Sequence, residues 1–430
     1  MSETIAIVGA GPAGCALACF LVERGIECLV FDNEKKPSLL VGESLVPAAI
    51  PIIQRLGIEP EVAAISALKL GAALRHGSGS PRVDFAFQKI GKGIPEYAYN
   101  IPRPQFDKIL RDRAETLGAR FIKHKASVVA TIDDDERELE LSAESLNAAG
   151  LTRTTQPDQL IDATGRARLF SRVLKIDAHR GTRNDVAHFA HFKNYPSDSN
   201  MEGQIVISVL DCGWSWQIPL RDKTSVGVVF SSKGANDYGS NSTERLKNVM
   251  QQNNALNKPG IERVTDVMTY SNYQLVSKQG FGKGWILLGD ALGFVDPMLS
   301  PGVFLTLESA TLLDDLVFQR DTLTDEKRTQ QLNTYYQEMR QWHAAWSKLI
   351  NYFYDGRMLS LGDIRPKLEE NESIFSLRRQ VDKIISKLLS RLVTGAGTRS
   401  KFNHAALFQI CQHLTTSEMH QMYSIRDVPE

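Results

Sequence analysis

Ile5-Ala6-Ile7-Val8-Gly9-Ala10-Gly11-Pro12-Ala13-Gly14 is the stretch that decides the fold. Its first four residues are apolar and three of them β-branched, the texture of a short buried strand. A glycine-rich turn follows, and Cys15 to Arg24 reads as a helix. Gly9 permits the tight turn, Gly11 admits a pyrophosphate close to the backbone, and Gly14 lets the helix lie against the strand. Pro12 and Ala13 open that helix, where unpaired N–H groups and a partial positive charge favour phosphates. Cys28-Leu29-Val30-Phe31 reads as a second strand. It ends in Asp32, about 20 residues past the turn, where a carboxylate accepts from ribose hydroxyls. Strand, turn, helix, strand and terminal acid, in that order, point to a dinucleotide-binding βαβ unit.

A chain of 430 residues exceeds one ordinary core, so two or three lobes are expected. Apolar residues at 42% and charged residues at 23% fit a soluble globular protein. Fifty basic and fifty acidic residues cancel, and no polybasic run supports binding to nucleic acid or an anionic membrane. No apolar run is long enough to span a bilayer. Cys15, Cys19, Cys28, Cys212 and Cys411 lack metal-ligand spacing, so no metal is expected. Their odd number fits reduced thiols and a cytoplasmic location. The first strand begins at once, leaving no room for a signal peptide.

Further along, Asn33 to Leu40 reads as a polar loop. Val41-Gly42-Glu43-Ser44-Leu45-Val46-Pro47 leads into a helix from Ala48 to Leu56, stopped by Gly57. Glu43 and Ser44 stand at its entrance, where capping and cofactor contact both account for them. Leu68 to Leu74 begins a strand, and Arg82 to Phe87 alternates with Val83, Phe85 and Phe87 on one face. Ile101 to Asp107 runs into a helix that Gly118 stops. Phe121 to Ile132 and Arg137 to Ala143 read as strands around an acidic hairpin tip at 133–136. Leu160-Ile161-Asp162-Ala163-Thr164-Gly165 is a strand ending where backbone meets cofactor at the carboxyl edge of a parallel sheet. From Ala187 to Phe230 the texture is of alternating strands in a second, mainly antiparallel lobe. Trp285 to Leu288 returns to the first lobe and ends in Gly289-Asp290-Ala291, with a helix from about Val303 to Phe318. Beyond Asp325 the chain is helical, broken near Gly356 and Gly362, with Trp342, Trp346, Tyr352, Phe353 and Tyr354 as core or lid residues.

Gly9 to Gly14, Asp162 to Gly165 and Gly289-Asp290-Ala291 together resemble the FAD-binding set of the glutathione-reductase-like flavoprotein monooxygenases. Val41 to Pro47, the W-x-W-x-I-P run Trp214-Ser215-Trp216-Gln217-Ile218-Pro219, and Gly289 to Val303 resemble the flavin-dependent halogenases. The resemblance runs from residue 1 to about 320 and is nearest to enzymes acting on pyrroles and phenols, carrier-tethered ones included. It implies an α/β fold: a glutathione-reductase-like Rossmann FAD domain (1–80, 100–170 and 280–320), an inserted, mainly antiparallel substrate sheet (81–99 and 171–279), and a C-terminal helical region (321–430). By the same resemblance Asp32 holds the adenosine ribose, Arg103 lies near the flavin, and Asp290 contacts the ribityl or pyrophosphate region. Gly302 and Val303 offer N–H groups to the isoalloxazine. Gly42, Glu43, Ser44, Val128, Asp162, Gly165 and Pro297 complete the FAD contacts. Lys69, in K-x-G-A, matches the lysine that receives hypohalous acid, and is expected in a tunnel between flavin and substrate. Trp214 and Trp216 wall the flavin off from the substrate chamber. With one dinucleotide fingerprint, the reductant is NAD(P)H bound elsewhere or a separate flavin reductase.

Reduced flavin and oxygen give a C4a-hydroperoxide, an electrophilic donor that the protein must keep dry and aim at an electron-rich target. Two departures bear on what is transferred. Tryptophan halogenases carry a glutamate where this chain has Leu299. Halogenases also hold the halide by two consecutive N–H groups, and Pro301 lacks one of them. Losing a hydrogen bond to a charged group costs about 1.5–3 kcal/mol, a roughly ten- to hundred-fold weaker halide site. The sequence reading is therefore an FAD-dependent monooxygenase of an electron-rich aromatic, including a tryptophan of a partner protein during quinone cofactor maturation. The alternative is a halogenase of a small or carrier-bound pyrrole or phenol. A flavin-binding assembly protein without catalysis is the third reading.

Overall fold

A computed structural model of the chain describes residues 3–34, 39–77, 79, 81–87, 94–131, 138–271, 274–319, 323–363 and 375–425. Thr4–Val8 lies inside a six-stranded sheet, paired in parallel with Glu27–Asp32 on one side and Gln159–Asp162 on the other. Arg120–Lys123 extends it beyond Glu27–Asp32, and Trp285–Leu287 beyond Gln159–Asp162, both in parallel. Ile5, Ile7, Leu29, Val30 and Ile161 are fully buried, as a sheet covered on both faces requires. Helix Pro12–Glu23 covers one face and is buried along Ala13 to Leu21, so its small Ala, Gly and Cys residues serve close packing. Burial pushes the Cys19 thiol up to about 12, which keeps it unreactive.

The second lobe is a sheet in the order Glu262–Arg263, Asp185–Lys193, Thr224–Ser231, Gly213–Pro219, Ile205–Leu210, Gly71–His76, Arg82–Ala86, with Met268–Ser271 also on Asp185–Lys193. The stretch expected as one strand from Leu68 divides. Ala67–Lys69 pairs with Ala98–Asn100, while Gly71–His76 joins the large sheet alongside Ile205–Leu210. Leu70 is the break: its N–H donates to Glu202 O and its carbonyl accepts from Phe87 N. The large sheet therefore takes in residues 71–76, which the sequence placed in the FAD domain. Phe121 to Ile132 also divides, into Arg120–Lys123 of the parallel sheet and Val128–Ala130 of a hairpin with Leu139–Leu141. Helix Ala143–Ala149 follows, its first turn capped by the Ser142 hydroxyl, so the strand read as far as Ala143 ends at Leu141. The acidic tip at 133–136 and residues 35–38 of the polar loop lie outside the described residues.

Helix Gly302–Leu313 packs against helix Pro12–Glu23 and continues into a π-helical turn, Asp314–Phe318. Asp314, fully buried there, is held by Arg24 at 2.5 and 2.6 Å and by Arg55 at 2.5 Å. The 30-residue helix Asp325–Tyr354 then lies across the first lobe. Its Tyr335 and Tyr336 hydroxyls donate to Leu287 O and Ser277 O, and its aromatic residues Trp342, Trp346, Tyr352, Phe353 and Tyr354 are buried. Gly356, at φ +80°, ends it where the sequence reading placed a break. Phe375–Val393, Lys401–Leu414 and Ser417–Tyr423 complete the helical layer.

Candidate active site

The carboxyl ends of Thr4–Val8, Gln159–Asp162 and Trp285–Leu287 open into one cleft between the two sheets. It encloses about 1310 Å³ of space, part of it open to solvent. Its lining runs from the glycine-rich turn at Gly11 to the aromatic residues Trp214 and Trp216, a span that suits a dinucleotide with a substrate beside it. The glycines of the first turn divide their work. A Cβ on Gly9 would stand 2.3 Å from Ala163 O, and one on Gly14 2.1 Å from Gly9 O, so both are needed for packing. A Cβ on Gly11 would meet no atom within 4 Å. Gly11 lines the cleft together with Pro12 and Ala13, at the N-terminus of helix Pro12–Glu23. An anionic pyrophosphate fits that cradle.

Of the other positions the sequence assigned to FAD, Gly42, Glu43, Ser44, Arg103, Gly165, Asp290, Pro297, Gly302 and Val303 line the cleft. Gly42, at φ +90°, leaves room for Arg103, whose Nη1 would sit 2.8 Å from a Cβ there. Arg103 donates to Val41 O at 2.5 Å and to Asp107 at 3.0 Å. Burial works against its cation, but the charge and hydrogen bonds of Asp107 outweigh that and raise its pKa. Asp290 is pushed up by burial and accepts from Thr306 at 3.2 Å. Glu43 is buried and bonded to His191 Nε2 at 2.8 Å.

Four assigned positions lie outside the cleft lining. Asp162 is fully buried: one oxygen accepts from Thr164 N at 2.9 Å and Thr164 Oγ1 at 2.6 Å, the other from Phe170 N at 2.8 Å. It shapes the turn that presents Gly165. Val128 pairs with Leu141 away from the cleft lining. Asp32 ends its strand as expected, but its carboxylate accepts from Arg111 and from Glu34 N. Lys69 is 1% exposed and sits behind the cleft wall rather than in an open tunnel.

The surroundings of Lys69 suit a neutral amine. Its Nζ donates to Ser44 Oγ and to Leu45 O, both at 2.8 Å, and lies 5.4 Å from the Phe87 ring centroid. Burial lowers its pKa to about 7. A neutral amine has two hydrogens and one lone pair, so these two acceptors use both hydrogens and leave the pair available. Ser44 in turn donates to Asn100 Oδ1 at 2.8 Å, and Asn100 Nδ2 bonds Gly203 O and Pro219 O. Ser44 thus stands between Lys69 and the cleft.

Trp214 and Trp216, two apart on one strand, face the same side. Their rings lie 5.8 Å apart, and Phe189 lies 5.6 Å from Trp216. Gly227 opposite seats the Trp216 ring, since a Cβ there would come within 2.2 Å of it. Ile205, Ile207 and Ile218 complete an uncharged wall. Facing it is the loop before helix Gly302–Leu313. Leu299 and Ser300 both take left-handed backbone, at φ +65° and +62°, and Ser300 N is used by Pro297 O at 3.0 Å. Pro301 precedes the helix with no N–H to give. Gly302 and Val303 follow with first-turn N–H groups that no helix carbonyl can reach. The sequence reading missed Arg166, Tyr270, Phe294 and Thr306 in the lining. Arg166 had a signal in following Gly165 directly, and Thr306 in lying one turn into the helix. Tyr270 and Phe294 had none.

A Rossmann sheet, a pyrophosphate cradle and a cleft against an aromatic wall fit an FAD-dependent oxidoreductase. Residues 86–358 match the family model described as tryptophan halogenase, and residues 7–45 match that of an NAD(P)-binding Rossmann-like domain. The chain belongs to the tryptophan halogenase family, the flavin-dependent halogenases. It is 29% identical over 370 residues to a tryptophan 2-halogenase of Chondromyces crocatus, covering 82% of this chain and 68% of that one. It is 26% identical over 390 residues to a 1H-pyrrole-2-carbonyl-[peptidyl-carrier protein] chlorinase of Pseudomonas fluorescens, covering 81% and 83%. The structure of a flavin-dependent brominase superposes with a TM-score of 0.73 at 22% identity, over 96% of this chain and 98% of that one. These relatives favour the halogenase alternative over the monooxygenase reading. Among the described residues no helix is long and apolar enough to cross a membrane.

Proposed function

We propose that the protein halogenates an electron-rich ring of the pyrrole or phenol type, presented on a carrier protein, with FAD reduced by a separate flavin reductase. The observation that carries this reading is Lys69, a buried amine with its pKa brought to about 7 beside a cleft-lining serine. Bound and reduced, FAD supplies with oxygen the electrophilic oxidant. The chain's own residues do the rest. Trp214 and Trp216 exclude water and separate ring from flavin, and Lys69, reached past Ser44, takes the halogen from hypohalous acid. The N–halogen bond forms as the halogen–oxygen bond breaks, and the amine proton leaves with the hydroxide as water. The wall of Phe189, Ile205, Ile207 and Ile218 offers a substrate no counter-charge. That suits an uncharged ring delivered on a tether better than a free amino acid, and Leu299 agrees with it.

One observation favours a second reading, oxygen insertion into an aromatic ring, including a tryptophan of a partner protein in quinone cofactor maturation. Pro301 withholds one amide from the halide position, so water or substrate competes better there. The experiment that separates them is product analysis with a pyrrolyl carrier protein and bromide. A brominated ring supports halogenation, and a hydroxylated ring overturns it.

A further inference from the structure

The long helix reaches the aromatic wall with its last residue. Tyr354 Oη accepts a hydrogen bond from Trp214 Nε1 at 3.0 Å and donates one to Asp296 Oδ2 at 2.7 Å. All three side chains are buried. The other oxygen of Asp296 accepts from Met298 N at 2.9 Å, which shapes the start of the loop carrying Pro297, Leu299 and Gly302. An indole N–H only donates and a carboxylate only accepts, so a group joining them must do both. A hydroxyl meets that condition, and the phenol ring is itself held from behind. The Arg183 guanidinium lies 4.0 Å from its centroid and pairs with Asp185 at 2.7 Å.

We propose that Tyr354 is a positioning residue of the active site, its hydroxyl fixing the Trp214 indole and the loop 296–302 in a single arrangement. The C-terminal helical layer then contributes to the site rather than only covering it. The assignment rests on the site and holds whether halogen or oxygen is transferred. The titratable and charged groups facing Asp296 are the neutral phenol of Tyr354, and Asp185 and Arg183. Burial pushes the Asp296 carboxyl up to about 6 against the hydrogen bonds of Tyr354 and Met298, with Asp185 adding to the rise and Arg183 opposing it. Burial and the charges of Asp296 and Asp185 keep the phenol protonated. As pH rises through about 6, Asp296 gains a charge that Trp214 senses through the shared Tyr354 hydroxyl.

The test is indole ¹⁵N NMR of the FAD-loaded protein, which has five tryptophans. Trp214→Phe identifies the relevant one. In the unmodified chain that signal is expected to be protected from exchange and to titrate with a midpoint near 6. Asp296→Asn should abolish the titration and keep the protection. Tyr354→Phe should abolish both while FAD absorbance and the other indole signals stay in place. A Trp214 signal no better protected in the unmodified chain than in Tyr354→Phe, or one that titrates unchanged in Tyr354→Phe, overturns the assignment. If Tyr354→Phe fails to fold, Asp296→Asn decides: a persisting titration overturns it.

Discussion

Lys69→Met should stabilise the fold while abolishing turnover. Lys69 is 1% exposed, and burial takes its pKa from 10.5 to about 7. A group depressed in this way costs stability fully below its folded value. The cost shrinks as pH climbs from about 7 and is gone above 10.5, where both states are neutral. A shift from 10.5 to about 7 corresponds to about 5 kcal/mol at the acid end, an upper value because the buried site relaxes. Methionine has a similar volume and removes that cost, but it leaves Leu45 O without its donor, a loss of about 1–3 kcal/mol. The net gain expected at pH 6 is about 2–4 kcal/mol. The more secure signature is its pH dependence: the advantage over the unmodified chain should fall by about 3 kcal/mol between pH 6 and pH 9. Urea unfolding of the FAD-loaded proteins at the two pH values measures it. A stability difference that is the same at both, or a variant less stable at pH 6, would refute the picture of a buried neutral amine.

Two further substitutions read the cradle and the loop. Gly11→Val should fold with an unchanged far-UV spectrum yet lose flavin absorbance, because its side chain meets only ligand space; Gly14→Val, aimed at Gly9 O, should fail to accumulate as folded protein. Pro301→Ala returns an N–H beside Gly302, and should lower the halide KM roughly ten- to hundred-fold with little change in flavin affinity. An unchanged KM would show that the missing amide is not a halide contact.

The parts of this site that were legible in the sequence are those whose meaning is local. Gly9 to Gly14 carries its own turn, close approach and helix start. Gly118 and Gly356 stop helices by their own left-handed backbone, at φ +112° and +80°. Trp214 and Trp216 face one way because a strand alternates. What escaped depends on partners far along the chain. Lys69 becomes a buried amine only because Ser44 and Leu45 fold over it, and Leu70 breaks its strand because Glu202 and Phe87 take its backbone groups. Asp162 read as a cofactor ligand because it ends a strand at the right edge. Thr164 and Phe170, two and eight residues on, use up its oxygens instead. Tyr354 looked like packing in an aromatic stripe, and its link to Trp214 spans 140 residues.

Whether the oxidant passes through Lys69 to an aromatic ring as halogen is tested most directly by isotope-resolved mass spectrometry. A pyrrolyl carrier protein is turned over with reduced FAD, bromide and ¹⁸O₂, by the unmodified chain and by Lys69→Ala. The account predicts a brominated product free of ¹⁸O from the first and no product from the second. An ¹⁸O-labelled ring, or the same brominated yield from Lys69→Ala, would contradict it.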